Sequence, residues 1–344
     1  KFYTNISKNL LQNIHVPFMS LYKKSFTVVA LAIVVFVISF FVRGLSRSID
    51  FTGGRNYVVT LSGAHQVEEV RKALDGAFVN TKGENAGKPA TTSVIALGTD
   101  GQTVRVSTNY NIESNDPLED DRAETILYTA LKKANLVSQS NVESFKNPDI
   151  RQGGSIISSA KVGPSIAKDI TYGAIWSVIL ALVFIFLYIL LRFRNVGFSV
   201  GSIAALACDT ITVIGIYSLM WGWAPFSLEI DQTFIGAILT VIGYSINDKV
   251  VVFDRIRENM KLHPKQDLQA LFNDSINQTL ARTVNTSLST LIVLLSIFIL
   301  GGDSIRSFSF AMILGVIFGT LSSIFIASPV AYIVLGRKIK EQDA

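Results

Sequence analysis

Only one of the 344 residues is a cysteine, Cys208, and it lies inside an apolar run. A disulfide within the chain and a cysteine-based metal site are both excluded. Charge is scarce as well. Charged residues make up 17% of the chain and hydrophobic ones 49%, with a mean hydropathy of +0.41. That is too apolar for a soluble protein of this length and points to several membrane spans. Residues 1–24 hold no acid, and residues 222–231 hold no Lys or Arg. The net charge of +5 does not indicate nucleic acid, because residues 44–169 carry 14 Lys/Arg against 15 Asp/Glu and the surplus sits in short segments beside apolar runs. A leading Met is missing too: the chain starts at Lys1, which leads us to expect a piece of a longer polypeptide.

What the sequence has in quantity is long uncharged stretches. Ser25 to Val42 is free of charge and just long enough to span a bilayer. We place the first span at 25–43 and five more at 170–192, 196–222, 231–254, 282–302 and 307–336. Basic residues cluster in the N-terminal segment 1–24 (Lys1, Lys8, Lys23, Lys24), at Arg192 and Arg194, in the connection 255–281 (Arg255, Arg257, Lys261, Lys265), and in the tail 337–344 (Arg337, Lys338, Lys340). The positive-inside rule puts these on the cytoplasmic side. The connections at 222–231 and 303–307, poor in Lys/Arg, then lie outside. Six spans fit this alternation, with both termini cytoplasmic and residues 44–169 as one large external domain.

Within 44–169 the pattern predicts a small α+β unit. Arg55–Ser62, Ser93–Leu97 and Thr103–Thr108 read as strands, the latter two flanking the turn Gly98–Gly101. Val67–Phe78 and Leu118–Ala134 read as helices, and Asn141–Phe145 as a last strand. The order β-α-β-β-α-β is the split βαβ, ferredoxin-like pattern. No metal-ligand spacing, nucleophile elbow or phosphate loop occurs here. The run Glu119-Asp120-Asp121 suits Ca²⁺ ligation or, more simply, the start of a helix. Ile49 to Gly54 (IDFTGG) leads in from the first span, and its glycines predict a tight backbone path. Residues 155–169 are expected to return to the membrane, with a helix starting near Pro164.

The membrane runs contain unusual polarity. In Leu239–Met260 (LTVIGYSINDKVVVFDRIRENM), Asp248 follows Tyr244, Ser245 and Asn247, and helical spacing predicts that Tyr244, Ser245 and Asp248 share a face. A carboxylate at such a place faces other helices and needs a partner. A plainer reading takes Asp248 as the wet end of the span, followed by the surface run Lys249, Asp254, Arg255, Arg257 and Glu258. The third span carries Asp209 with Thr212 one turn on. The fifth opens with Arg282, and Asn285, Thr286, Ser289 and Thr290 continue one stripe. The sixth has Gly315, Gly319 and Ser323 at four-residue spacing, a close-packing face. Asp209, Asp248 and Arg282 are expected to form a charged cluster, with Asp248 and Arg282 at compatible depths on successive spans.

IDFTGG at 49–54, VGP at 162–164, ALACD at 205–209, VIGYSINDKVVVFDRIREN at 241–259 and RTVNTSLSTL at 282–291 resemble the signature segments of the SecD/SecF family, and of its SecF side in particular, within the resistance-nodulation-division superfamily. The resemblance implies that the chain is SecF-like, and together with the start at Lys1 it leads us to expect the SecF half of a fused SecD–SecF polypeptide. It implies a pseudo-symmetric pair with SecD in the bacterial inner membrane that uses the proton-motive force to promote export of unfolded preproteins through SecYEG, with YajC and YidC as further partners. It carries the essential membrane carboxylate onto Asp248 and the conserved arginine onto Arg282, with Asp209 beside them, and it makes Asp50, Gly53 and Gly54 a family motif. No enzymatic activity and no cofactor other than protons is implied. Cys208 departs from the family, which commonly has His before this Asp. Two other readings stay open. One is a proton-driven exporter of small molecules or lipids, expected to have larger external domains. The other is an intramembrane aspartyl protease using Asp209 and Asp248, although the Gly-x-Gly-Asp pattern is absent.

Overall fold

A computed structural model describes residues 15–342 apart from 84, 98–100, 115, 117, 151 and 225. The basic residues Lys1 and Lys8, most of the turn expected at 98–101, and the side chains of Arg337, Lys338 and Lys340 lie outside the described residues.

Helix α1 (Tyr22–Arg43) starts three residues earlier than the sequence suggests, after a 3-10 turn at Phe18–Ser20. The short helix α2 (Ile49–Thr52) follows, capped by the Ser48 hydroxyl. The chain then enters a four-stranded sheet made of β1 (Gly54–Thr60), β2 (Thr92–Ala96), β3 (Thr103–Thr108) and β4 (Ile156–Val162). The order is β2-β3-β1-β4, and every neighbouring pair is antiparallel. Helices α3 (Val67–Leu74) and α4 (Leu118–Lys133) contribute to a core with Tyr57, Val59, Val94 and Val106 from the sheet.

The end of this domain differs from the sequence reading. The strand expected at 141–145 is the short helix α5 (Val142–Lys146): Asn141 accepts from the Ser144 amide (2.7 Å), and Phe145 fills the core. The fourth strand lies instead at 156–162, where only a return to the membrane was expected. Its residues 158–161 (Ser-Ser-Ala-Lys) are exposed, so the alternation that marks a half-buried strand is missing from its sequence.

Pro164, at the first position of α6 (Pro164–Phe193), starts the second span as the sequence suggests. The remaining spans are α7 (Val196–Met220), α8 (Gln232–Leu262), α9 (Leu268–Leu300) and a last one built of α10 (Asp303–Ser322), a π-helical turn (Ser323–Ala327) and α11 (Ser328–Gln342). Among the described residues, six helices are long and apolar enough to cross a membrane. The peripheral α1, α6 and α9 expose large apolar side chains such as Phe41, Trp176 and Ile299, whereas α7, α8 and the last span form the buried centre.

Residues 255–281 are largely helical rather than a loop. α8 runs on to Leu262 and α9 begins at Leu268, leaving a connection of a few residues. Asp267 caps α9 by accepting from the Ala270 amide (3.0 Å). Leu271, Phe272 and Ile276 bury one face of it against Val252, Phe253 and Ile256. The segment before α1 docks here too, with the Val16 and Met19 amides donating to the Asn277 and Asn273 side chains.

Candidate membrane proton site

Helix α8 organises the membrane site because its opposite sides meet different neighbours. Tyr244 donates to the Thr286 carbonyl (3.2 Å) and to Thr290 Oγ1 (3.0 Å), both on α9. Asp248, one turn on, is 3% exposed and accepts from Thr320 Oγ1 of α10 (3.2 Å). Thr320 in turn shares a hydrogen bond with Ser287 of α9 (2.5 Å). Asp248 thus sits at the junction of α8, α9 and α10, held by a hydroxyl network.

Ser245 points elsewhere. It is fully buried and donates to Asp209 Oδ2 on α7 (2.7 Å). The single face expected for Tyr244, Ser245 and Asp248 is therefore two faces, one toward α9 and one toward α7. Lys249, expected at the surface, is completely buried, and its Nζ lies 3.1 Å from Asp209 Oδ2. Ser322 of α10 also donates to that oxygen (2.9 Å). Reading Lys249 with the charged run that follows it misplaced this residue. The available signal was its four-residue spacing from Ser245, which puts both on one face.

The cluster expected of Asp209, Asp248 and Arg282 is thus divided. Asp209 is ion-paired with Lys249 and Asp248 is hydrogen-bonded to Thr320, while Arg282 is exposed on α9, with no carboxylate within 4 Å among the described residues. Asn247 and Asn285 are exposed as well, and Thr286 is half-buried and donates to the Arg282 carbonyl (2.9 Å). Arg282, Asn285 and Ser289 form a polar stripe on the outer side of an apolar helix. The small residues of α10 are packed as expected: a Cβ added at Gly315 would lie 2.0 Å from Val241 Cγ2, and one at Gly319 would lie 2.7 Å from Ser245 Oγ.

The IDFTGG segment joins this bundle to the sheet. The Gln232 amide at the start of α8 donates to Asp50 (3.2 Å). The Ser48 amide donates to the Ile230 carbonyl (3.0 Å), and the Ile230 amide to the Ser46 carbonyl (2.8 Å). Gly53 has φ +73°, and a Cβ at Gly54 would meet Ile49 Cγ2 at 2.6 Å and the Thr108 carbonyl at 2.7 Å. The tight path predicted for the glycines is the one observed. A cavity of about 60 Å³ lies between the sheet and the segment entering α8, lined in part by Asp50, Asn56, Arg105, Glu229 and Asp231. Burial pushes the Glu229 carboxyl up from its ordinary value, and Asp231 adds to this while the Ser93 hydroxyl and Arg105 oppose it.

In the sheet domain the acidic run starts a helix, and each carboxylate has its own basic partners. Glu119 pairs with Lys82 and Arg122 (2.8 and 2.7 Å), Asp120 with Arg55 and Lys161 (2.5 and 3.3 Å), and Asp121 with Lys146 (2.7 Å). Burial works against the ionised form of Glu119 and Asp120, but these partners together with Asn111 outweigh it and hold both carboxyls below their ordinary values.

Residues 143–337 match the family described as Protein export membrane protein SecD/SecF, C-terminal, and residues 38–64 match the SecD/SecF GG motif. These two segments contain Asp50, Gly53, Gly54, Asp209, Asp248 and Arg282. The Protein translocase subunit SecF of Rhodothermus marinus is 38% identical, over 93% of this chain and 94% of its own length. That of Petrotoga mobilis is 33% identical, over 94% and 97%. The crystal structure of SecDF, a translocon-associated membrane protein, from Thermus thermophilus superposes with a TM-score of 0.71 at 31% identity. The match takes in 95% of this chain but 39% of that longer one.

Proposed function

This chain belongs to the SecD/SecF family of protein-export membrane proteins, and from that premise we propose that it serves as a SecF-type subunit of the bacterial Sec protein translocase, using the proton-motive force with SecD to promote export of unfolded preproteins through SecYEG. Protons are the coupling ion and no enzymatic step is involved. Asp248 carries the reading: a buried carboxylate in a long apolar helix, held by a hydroxyl network and without an ion pair among the described residues. Burial favours the protonated carboxyl and a nearby arginine favours the ionised one. A carboxylate that alternates between these settings loads and releases a proton. Arg282, on the neighbouring α9, is the residue proposed to approach it. A charge crossing the membrane yields about 2.3 kcal/mol per 100 mV, enough to bias a domain motion by more than about tenfold.

The exposed stripe of Arg282, Asn285 and Ser289 supports SecD as the neighbour, because charged and amide groups on the outside of a span require a protein partner or water at that depth. The relatives that join SecD and SecF in one chain point the same way. YajC and YidC remain proposed partners in the translocase. The Lys/Arg distribution supports an inner-membrane orientation with both termini cytoplasmic and the sheet domain outside. A ferredoxin-like assignment of that domain is supported by the order β2-β3-β1-β4, in which β3 lies antiparallel between β1 and β2. The aspartyl-protease alternative needs two carboxylates sharing a proton, whereas Asp209 and Asp248 here have separate sets of donors.

The test is translocation of a secretory precursor into inverted membrane vesicles containing SecD, with and without this chain and with and without an uncoupler. The proposal predicts stimulation that needs both the chain and the proton gradient. Equal stimulation after uncoupling would remove the proton from the account.

A further inference from the structure

The Lys249–Asp209 pair has no role in the reading above. Lys249 is fully enclosed, and its ammonium group has four acceptors within hydrogen-bond reach: Asp209 Oδ2 (3.1 Å), Ser322 Oγ (3.1 Å), Ser245 Oγ and the Ser245 carbonyl (3.4 Å). Ser245 and Ser322 pass their own hydrogens to the same Asp209 oxygen (2.7 and 2.9 Å). One oxygen of Asp209 therefore gathers an ammonium and two hydroxyls, and the network joins α7, α8 and the end of α10. Ser322 immediately precedes the π turn, where the Ser328 hydroxyl bonds back five residues to the Ser323 carbonyl.

Asp248 is the residue before Lys249. Adjacent residues on a helix are rotated by about 100°, so fixing one fixes the other. With Lys249 held against α7, Asp248 is turned toward α10 and α9. Helix α10 serves both, presenting Thr320 to Asp248 and Ser322 to the pair.

Resting on the proton-coupling reading, we propose that Lys249 is a positioning residue: with Asp209 as its fixed counter-ion it clamps α8 to α7 and α10 and leaves Asp248 as the carboxylate of this buried network that exchanges protons. The titratable and charged groups around the two sites are Cys208 and Asp209 from α7, Arg282 from α9, and Tyr244, Asp248 and Lys249 from α8 itself. Helix α10 brings hydroxyls, and α6 brings Arg192 to Asp254 further along α8. Removing the ammonium frees a buried carboxylate to compete for protons. Removing both charges loosens the clamp without creating a competitor.

The experiment measures uncoupler-sensitive translocation against pH in inverted vesicles carrying the full chain with SecD, normalised to the amount inserted. Lys249→Met should move the half-stimulation point by about tenfold or more in proton concentration, or split the profile into two steps. Lys249→Met/Asp209→Asn should return the profile to one step at the original midpoint, with reduced maximal stimulation. If the single variant fails to insert, the double variant decides: lowered stimulation supports the proposal, and wild-type amplitude and midpoint overturn it. An unchanged profile in an inserted Lys249→Met protein overturns it as well. Asp248→Asn is measured alongside, because surviving stimulation there defeats the proton-coupling reading instead of the role of Lys249.

Discussion

Two adjacent residues of α8 show what sequence reasoning reached at this scale. Asp248 was legible because a carboxylate close behind an apolar run is costly and demands an explanation. Lys249 was not, because a linear sequence groups it with the charged residues that follow. Only the packing shows it facing Asp209 one helix away. Arg282 was legible as the head of a polar stripe, but its exposure was not, since the side of a helix that meets a neighbour depends on the tertiary arrangement. Arg282→Ala is expected to abolish gradient-dependent stimulation of export while the protein remains inserted, and Arg282→Lys to restore only part of it, because lysine lacks the planar fork. Translocation assays on the two variants at matched membrane abundance test this, and full activity in Arg282→Ala would exclude the arginine from coupling.

At the scale of elements, apolar length found the six helices that, among the described residues, are long and apolar enough to cross a membrane, but it truncated those that continue as amphipathic helices. The extensions of α8 and α9 beyond their apolar runs carry charge on their outer faces and bury Val252, Ile256, Leu271 and Phe272, so they look like a loop to a hydropathy count. The π turn left no signal at all: SIFIA is ordinary membrane-helix sequence. The GxxxG face was readable and is tightly engaged. Gly315→Ala should destabilise the α8–α10 contact by about 1–3 kcal/mol, since its methyl group would collide with Val241. Thermal unfolding in detergent should show a lowered midpoint, which Val241→Ala in the same chain should partly restore. In the sheet domain, β4 was missed for want of alternation. The acids of α4 were found, but their paired bases were not, because Arg55, Lys82 and Lys161 lie far off in sequence. As the folded state holds Asp120 and Glu119 below their ordinary values, the stability they contribute is present above about pH 4 and lost as pH falls through the lowered values. A fragment of residues 44–163 should therefore keep its melting temperature from neutral pH down to the ordinary carboxylate range and lose it below. A melting temperature that holds or rises on further acidification would contradict the pairing.

For the whole molecule, the arrangement connects a site in the membrane to a domain beyond it. Helix α8 carries Asp248 within the bundle, and its first turn is bonded to Asp50 of the segment that feeds β1. A displacement of α8 on proton exchange has a short covalent and hydrogen-bonded route to the sheet. This requires the two ends of α8 to lie on opposite sides of the membrane. In intact cells with Cys208 replaced by Ser, a cysteine at Gly87 should be labelled from outside and one at Lys265 protected, and the reverse pattern would invert the orientation. The central claim is that Asp248 exchanges the coupling proton. Its most direct test is precursor translocation into inverted vesicles from cells whose only copy is Asp248→Asn, compared with and without an uncoupler. The amide keeps the shape and the hydrogen bond from Thr320, so the account predicts normal insertion with no gradient-dependent stimulation. Wild-type stimulation that still collapses with the uncoupler would show that Asp248 is structural and that the proton travels elsewhere.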